Sequence, residues 1–340
     1  MSVAETAVKE LKAGIIGLGV GERHLAGYKL IDGVTVKAIA DIDPEKLDAV
    51  GARQDVAERH TDWRKVAEDS EIDVVSICSY DDAHADQAEL ALKNGKHVMV
   101  EKPVALDRAG AERVMRAWAD SGRVLTSNLI LRRSPRFSAV REMVRRGDFG
   151  DVFYLEGDYL HQILWKITEG WRGRMDFYCV TYGGGIHLID LMRWILGAEV
   201  TEVTGMANKV LTRNSRFPFP DTMANLMRFD TDAMAKTVTT FGPQRPQLHR
   251  LNIYGDKLSF ENDVPDARLF TGDGPDDVAV MSVPYPGIEK FDLLPDFVAA
   301  VRDGRQPMVS AEDVFRVLDI CLACWESVET RRTVDVAYML

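Results

Sequence analysis

Three short stretches of this 340-residue chain hold residues whose types and spacing could do chemistry. The first is Gly17-Leu18-Gly19-Val20-Gly21, which follows the apolar run KAGII and precedes a helical pattern. Gly17 permits a tight turn and Gly19 lets the backbone approach a diphosphate. The helix start that follows supplies free amide groups and a positive dipole end. Glu22 stands where this fingerprint usually has Gly or Ala, with Gly21 beside it. Asp41 ends the next β-rich run, at the spacing where a dinucleotide fold places the carboxylate that receives the adenosine ribose hydroxyls. A carboxylate there repels a 2′-phosphate, and Ile42-Asp43-Pro44 offer no Arg to bind one, so the pattern prefers NAD to NADP. Asp43 is also placed to cap a helix that starts at Pro44.

The second stretch, Glu101-Lys102-Pro103, closes an apolar strand run, so its charges emerge at the carboxyl edge of a parallel sheet, where ligands of open α/β folds bind. Pro103 breaks the strand, and a cis Lys102-Pro103 bond would suit the turn. The third is Gly183-Gly184-Gly185-Ile186-His187-Leu188-Ile189-Asp190. Its glycines would let backbone approach a ligand, and a helix would carry His187 and Asp190 on one face. A His at a helix start is easily kept neutral, which suits a proton acceptor.

The elements that must position these groups fall into two parts. Up to residue 127, strand runs (Lys12 to Ile16, Val34 to Ala40, Val74 to Cys78, Lys96 to Val100, Val124 to Ser127) alternate with helical patterns, which predicts a parallel sheet with helical crossovers. From 128 to 340, longer alternating runs (VFYLEGDYL, VTEVTGMANKVL, TMANLMRFDT, AMAKTVTTFG, HRLNIYGDKLSFEND, DVAVMSV) predict a large, mostly antiparallel open sheet. Helices at Arg136 to Arg145, Ile186 to Leu196, Glu289 to Asp303 and Ala311 to Glu329 are expected to cover one of its faces. The fold class is thus an α/β Rossmann domain (1–127) followed by an α+β domain (128–340) for substrate binding and oligomerisation.

Composition narrows the function. With 53 Asp plus Glu against 42 Lys plus Arg, the formal net charge of -11 gives no footprint for nucleic acid or an anionic membrane. No run is long and apolar enough to span a bilayer, and MSVAETAVKELKAG lacks the basic and apolar regions of a secretory signal, so a cytoplasmic location is expected. Of Cys78, Cys179, Cys321 and Cys324, only the last two are close, on an amphipathic helical segment. They read as small apolar residues, and no metal is expected.

The order of Gly17-Leu-Gly-Val-Gly, Asp41, DVVSICSYDDAHADQAELALKNGKHVMVEKP, Asn128, Trp171-Arg172 and GGGIHLIDLMRWILG resembles the Gfo/Idh/MocA family of glucose-fructose oxidoreductases and inositol dehydrogenases. The tail from DFVAAVRDGRQP to WESVET is also similar. The resemblance implies a Rossmann domain, a C-terminal domain whose sheet assembles homodimers or homotetramers, and NAD as cofactor. It gives Lys102 the reacting oxygen, Glu101 a place near the nicotinamide ribose, and His187 the role of general acid/base. Gly17, Leu18, Gly19, Val20, Gly21, Asp41, Ile42, Glu101, Lys102, Asn128, Trp171 and Arg172 would contact cofactor. Ser79, Tyr80, Asp81 and His84 match a loop that is usually Thr-Pro-Asn-x-x-His, and Ser79, Tyr80 and His84 would serve the cofactor too. The family often has an Asp four residues before the His, where this chain has Gly183. Tyr182, Asp190, Asp176, Tyr159 or His161 would have to substitute.

The function implied is reversible hydride transfer between NAD and a secondary alcohol or ketone of a sugar, cyclitol or nucleotide sugar. Lys102, Tyr159, His161, Arg172 and His187 would touch that small carbohydrate, within a wall that also holds Trp165, Lys166, Trp171, Arg174, Phe177 and Tyr178. The alternatives are a sugar hydrolase or lyase in which oxidation is transient, and a non-catalytic sensor of sugar or dinucleotide.

Overall fold

The computed structural model describes residues 9–340, so most of the segment scanned above for a secretory signal lies outside the described residues. The chain forms two compact units. One comprises the chain up to Asn128 together with a returning segment, Glu289–Val314; the other comprises Leu129–Ile288 and Phe315–Leu340.

In the first unit, six parallel strands, β1 (Leu11–Ile16), β2 (Val34–Ala40), β3 (Glu58–His60), β4 (Val74–Ile77), β5 (His97–Val100) and β6 (Leu125–Ser127), lie in the order β3-β2-β1-β4-β5-β6. β4 and β5 are Val-rich, and both are buried almost throughout, as a parallel sheet covered on two faces requires. The crossovers hold α1 (Gly21–Tyr28), α2 (Pro44–Arg53), α3 (Arg64–Ala67), α4 (His84–Lys93) and α5 (Arg108–Ser121). Strand order reverses between β1 and β4, so the loops after them diverge and leave a crevice at the carboxyl edge. Strand β3 (ERH) escapes the sequence reading because it is short, polar and at the edge of the sheet.

The second unit is built on nine strands: β7 (Val152–Leu160), β8 (Val200–Asn208), β9 (Thr222–Phe229), β10 (Met234–Thr240), β11 (Leu248–Gly255), β12 (Ser259–Glu261), β13 (Ala267–Phe270), β14 (Val278–Met281) and β15 (Val334–Asp335). Their order is β14-β13-β12-β11-β7-β10-β9-β8-β15, and every pairing is antiparallel except β7 with β10. The run HRLNIYGDKLSFEND divides into the hairpin β11–β12, and the four-residue β13 and two-residue β15 are additional to the sequence reading. Helices α6 (Pro135–Arg145), α7 (Trp165–Thr168) and α8 (Ile186–Leu196) follow in chain order, then α9 (Leu294–Asp303) and α10 (Ala311–Thr330).

Contact with the sheet explains which helices cover it. A Cβ on Gly157 of β7 would stand 2.9 Å from the Met192 sulfur, so α8 lies directly on that strand. One on Gly205 of β8 would meet Val328 of α10 at 2.9 Å. The third helix departs from expectation: α9 belongs to the nucleotide unit, not to the antiparallel sheet. Its stripe of Leu294, Phe297, Val298 and Val301 is buried. Gly27 of α1 admits it, since a Cβ there would stand 2.4 Å from Phe291 and 3.0 Å from Leu294.

Candidate functional site

Gly17 adopts φ +83°, and a Cβ there would press on the Cys78 carbonyl at 2.6 Å, so only glycine makes this turn between β1 and β4. Gly19 is the opposite case: an added Cβ would meet nothing within 4 Å. That open space above the turn is what a diphosphate needs. Val20 caps α1 with no side-chain hydrogen bond, so no side chain competes for the first amides of the helix. Gly21 takes over the close packing expected of the third fingerprint position, its absent Cβ standing 2.9 Å from Ile15 and 3.1 Å from Cys78. Glu22 is thereby released to α2, where it receives Arg53 through Nε and Nη2, both at 2.9 Å, and Gln54 at 3.1 Å.

Asp41 is 6% exposed at the end of β2. Its Oδ2 accepts the Leu18 amide at 2.7 Å and its Oδ1 the Asp43 amide at 3.0 Å, which fixes the carboxylate beside the glycine turn. Lys46 stands 2.8 Å from Oδ2, a cation that a scan of residues 42–44 stops short of. Asp43 caps α2 as expected, accepting from the amides of Glu45 and Lys46 with Pro44 at the first position. Ile42 projects outward, 67% exposed. These residues fit a dinucleotide: an open glycine turn, uncapped helix amides and a fixed carboxylate.

The EKP segment is held by a buried network that the sequence reading misses. His24 of α1 is fully buried, with Nε2 3.3 Å from Glu101 Oε1 and Nδ1 3.1 Å from Ser76 Oγ. A carboxylate only accepts, so Nε2 carries a proton toward Glu101, while the Ser76 oxygen lies within hydrogen-bond distance of both Nδ1 and the Tyr28 hydroxyl, the latter at 3.0 Å. Asn128 donates to Glu101 at 2.7 Å and to the Lys290 carbonyl at 3.0 Å. Burial alone would raise the Glu101 carboxyl, but the bonds from His24 and Asn128 and the Lys102 charge outweigh it and hold it at about 2. The only sequence signal for His24 was its place in the second turn of the phosphate helix. The Lys102-Pro103 bond is cis, as suggested above.

His84 braces this segment. Its Nδ1 lies 2.7 Å from the Pro103 carbonyl and its Nε2 3.3 Å from the Ser79 carbonyl. Both ring nitrogens therefore face backbone, which ties the loop after β4 to the cis turn. The Ser79 hydroxyl donates to Gln87 at 2.7 Å, while Tyr80 is 40% exposed.

In the second unit the triple glycine is a π-turn, Thr181–Gly185, running straight into α8. The sequence suggested that its glycines admit a ligand, but they admit the protein's own side chains. A Cβ on Gly183 would stand 1.9 Å from the Tyr178 hydroxyl, on Gly184 2.6 Å from the Tyr159 ring, and on Gly185 2.3 Å from Thr239. The Tyr159 ring stacks on His187 at 6.4 Å between centroids, and its hydroxyl lies 3.2 Å from His161 Nδ1. Burial pushes the Tyr159 phenol up to about 12 against the pull of the Arg172 charge.

Two members of this cluster were not anticipated. His249 tilts against Tyr159 at 5.4 Å, and its Nδ1 lies 2.9 Å from the Tyr285 hydroxyl, which also accepts the His249 amide. Arg172 stacks on Trp171 at 4.1 Å and lies 5.9 Å from the Tyr178 ring. The remaining proposed relay groups have other ties. Asp190 takes Arg132 bidentately at 2.5 and 2.9 Å, both side chains 1% exposed. Tyr182 packs edge-on against Phe177, and burial drives its phenol well above the ordinary range. Asp176 is exposed.

All four cysteines are buried, and burial raises the Cys324 thiol. Among the described residues no group of three or more His, Cys, Asp or Glu is arranged to hold a metal, and no helix is long and apolar enough to cross a membrane.

A six-stranded Rossmann sheet with an open glycine turn and a fixed ribose carboxylate, followed by a unit with a large mixed sheet, defines an NAD-binding oxidoreductase. Comparison with known proteins agrees. The oxidoreductase family model for an NAD-binding Rossmann fold, GFO_IDH_MocA, matches residues 11–129, and that for its C-terminal alpha/beta domain matches 141–336. The chain therefore belongs to the Gfo/Idh/MocA family, is an NAD-dependent oxidoreductase, and takes NAD as its cofactor. It is 25% identical to myo-inositol 2-dehydrogenase of Thermotoga maritima over 96% of this chain and 98% of that one. It is also 25% identical to D-apiose dehydrogenase of Paraburkholderia graminis, over 99% and 92%. Among solved structures, levoglucosan dehydrogenase in complex with NADH superposes with a TM-score of 0.86 at 22% identity, covering 97% of this chain and 100% of that one.

Proposed function

We propose that the enzyme transfers hydride reversibly between NAD and a secondary alcohol or ketone carbon of a sugar or cyclitol, with nucleotide sugars within reach of the same chemistry. The observation that supports this most is the fixed end of the EKP segment, where buried partners of Glu101 and a braced Pro103 hold the backbone that presents Lys102. NAD supplies the hydride acceptor or donor. The Lys102 ammonium holds the reacting oxygen and lowers the cost of negative charge developing on it. His187 takes the hydroxyl proton during oxidation and returns it during reduction. Tyr182 and Asp190 are then second to His187, Asp190 acting through its pair with Arg132.

The aromatic groups Tyr159, Trp171 and Tyr285 suit the apolar faces of a polyhydroxylated ring, with His161 and Arg172 for its hydroxyls. Related enzymes that act on myo-inositol, D-apiose and levoglucosan support that class. The reading includes a homodimer or homotetramer formed through the outer face of the large sheet, where Met206 (77% exposed) and Leu226 (59%) lie uncovered among charged neighbours. It also places the enzyme in the cytoplasm.

The test is a panel of cyclitols, aldoses and nucleotide sugars assayed for net NADH formation. Stoichiometric NADH from one polyol is expected. Substrate consumption without net NADH would replace this reading with transient oxidation, and binding without turnover would make the chain a sensor.

A further inference from the structure

The cation beside Asp41 changes what the ribose end of the dinucleotide site can accept. Lys46 is the third residue of α2, whose start is set by the Asp43 cap and Pro44. Side chains on a helix lean back toward its N-terminus, so the Lys46 stem returns to the end of β2, and its Nζ stands 2.8 Å from Asp41 Oδ2. The carboxylate is 4% exposed and the lysine side chain 38%, so the pair is closed on the acid's side and open on the ammonium's. Oδ2 also accepts the Leu18 amide at 2.7 Å, and Oδ1 accepts the Asp43 amide at 3.0 Å. A carboxylate has about four acceptor sites. Leu18, Lys46 and Asp43 take three of them before any ligand arrives, and the remaining one is on Oδ1. The acid alone therefore cannot receive both hydroxyls of a ribose diol. The second finds a cationic donor instead, an ammonium with N–H groups beyond the one on Oδ2.

Both reasons for excluding a 2′-phosphate change with this arrangement. Repulsion by Asp41 is offset by an opposite charge at contact distance, and the cation absent from residues 42–44 is supplied by residue 46. The other carboxylates close in the chain are Asp43 and Glu45, both exposed. Asp43 directs its Oδ1 to the amides of Glu45 and Lys46 at 3.0 and 3.1 Å, and exposed charges are screened by salt. Arg53, at the far end of α2, is committed to Glu22. We propose that Lys46 is a cofactor-specificity residue: its ammonium, held at Asp41, gives the site a partner for a 2′-phosphate, so that the chain binds NADP(H) alongside NAD(H). Binding at the adenosine end is independent of which alcohol the enzyme oxidises.

Cofactor titration without substrate tests this, read by the fluorescence of the bound dihydronicotinamide. Wild-type enzyme is expected to bind NADPH within about tenfold of NADH, since the phosphate gains a charge-assisted contact against carboxylates that are paired or screened. In Lys46→Ala, NADPH should weaken by about tenfold or more relative to NADH. Lys46→Arg should restore the ratio, with the melting temperature kept. Displacement of NADH by 5′-AMP and by 2′,5′-ADP locates the effect at the ribose: in Lys46→Ala the doubly phosphorylated competitor should lose about tenfold more affinity than the other. If Lys46→Ala lowers the melting temperature, Lys46→Gln, which keeps the stem, replaces it in the same titrations. A wild-type gap between NADH and NADPH well beyond tenfold would overturn the inference. So would an NADPH-to-NADH ratio that removal of the ammonium leaves unmoved.

Discussion

The glycine turn of the nucleotide unit and the triple glycine of the second unit look alike as text and are used in opposite ways. Gly19 leaves a space that no protein atom enters within 4 Å, whereas Gly183, Gly184 and Gly185 each give their space to Tyr178, Tyr159 or Thr239. The polar groups differ in the same sense. Around Glu101 and Asp41, buried donors and acceptors meet at hydrogen-bond distance. Around Tyr159, the ring stacked on His187, the rings of His161, Phe241 and His249 stand edge-on or tilted. A unit that binds one unchanging ligand can fix every polar group beforehand. One that must fit a particular polyol is shaped by the packing of large side chains, which single substitutions can alter.

The strongest challenge to that contrast is Lys102→Ala. It should lower kcat by roughly 10²- to 10⁴-fold in a steady-state assay, with NADH affinity measured by fluorescence little changed. Loss of NADH binding instead would mean that the residue serves the cofactor.

Glu101 probes the hydrogen-bonded network through pH. It ionises at about 2 in the folded chain against 4.5 for the free side chain. Folding therefore favours the ion, and the stabilisation is present above about pH 4.5 and fades as pH falls toward 2. Glu101→Gln should cost roughly 3 kcal/mol at neutral pH by denaturant titration. It should also flatten the acid limb of stability.

The two kinds of glycine give the sharpest pair. Gly19→Ala should leave the melting temperature in place and weaken NADH by about tenfold or more, since the methyl enters the diphosphate space. Gly184→Ala should do the reverse, costing about 1–3 kcal/mol of stability because its methyl meets the Tyr159 ring. Equal effects of both on NADH binding would erase the distinction. The smallest change is Glu22→Ala: its pair with Arg53 is solvent-facing on the Arg side, so stability should move by less than about 1 kcal/mol.

The nucleotide unit was largely legible in the sequence because each requirement is local. A positive φ at Gly17, a carboxylate after β2 and a proline after Lys102 follow from neighbours in the chain. His24 was not legible, since its partners Ser76, Glu101 and Asn128 come from three other elements. The same holds for His249 and Tyr285, which reach Tyr159 through strand pairing and a distant loop. The purpose of Gly183 was hidden for a further reason: glycine records that a side chain is unwelcome, not what excludes it. The destination of α9 was equally unreadable, because an apolar stripe shows that a helix is covered but not by which unit.

That returning segment constrains the order in which the molecule can be made. The hollow at Gly27 of α1 is filled by Phe291 and Leu294, which leave the ribosome only after nearly all of the second unit. The nucleotide unit cannot complete its hydrophobic interior during its own synthesis, so the usual sequence of one domain maturing before the next does not apply. A gene fragment ending near residue 128 would encode every strand of the Rossmann sheet yet expose α1 along this side, leaving the fragment prone to aggregate.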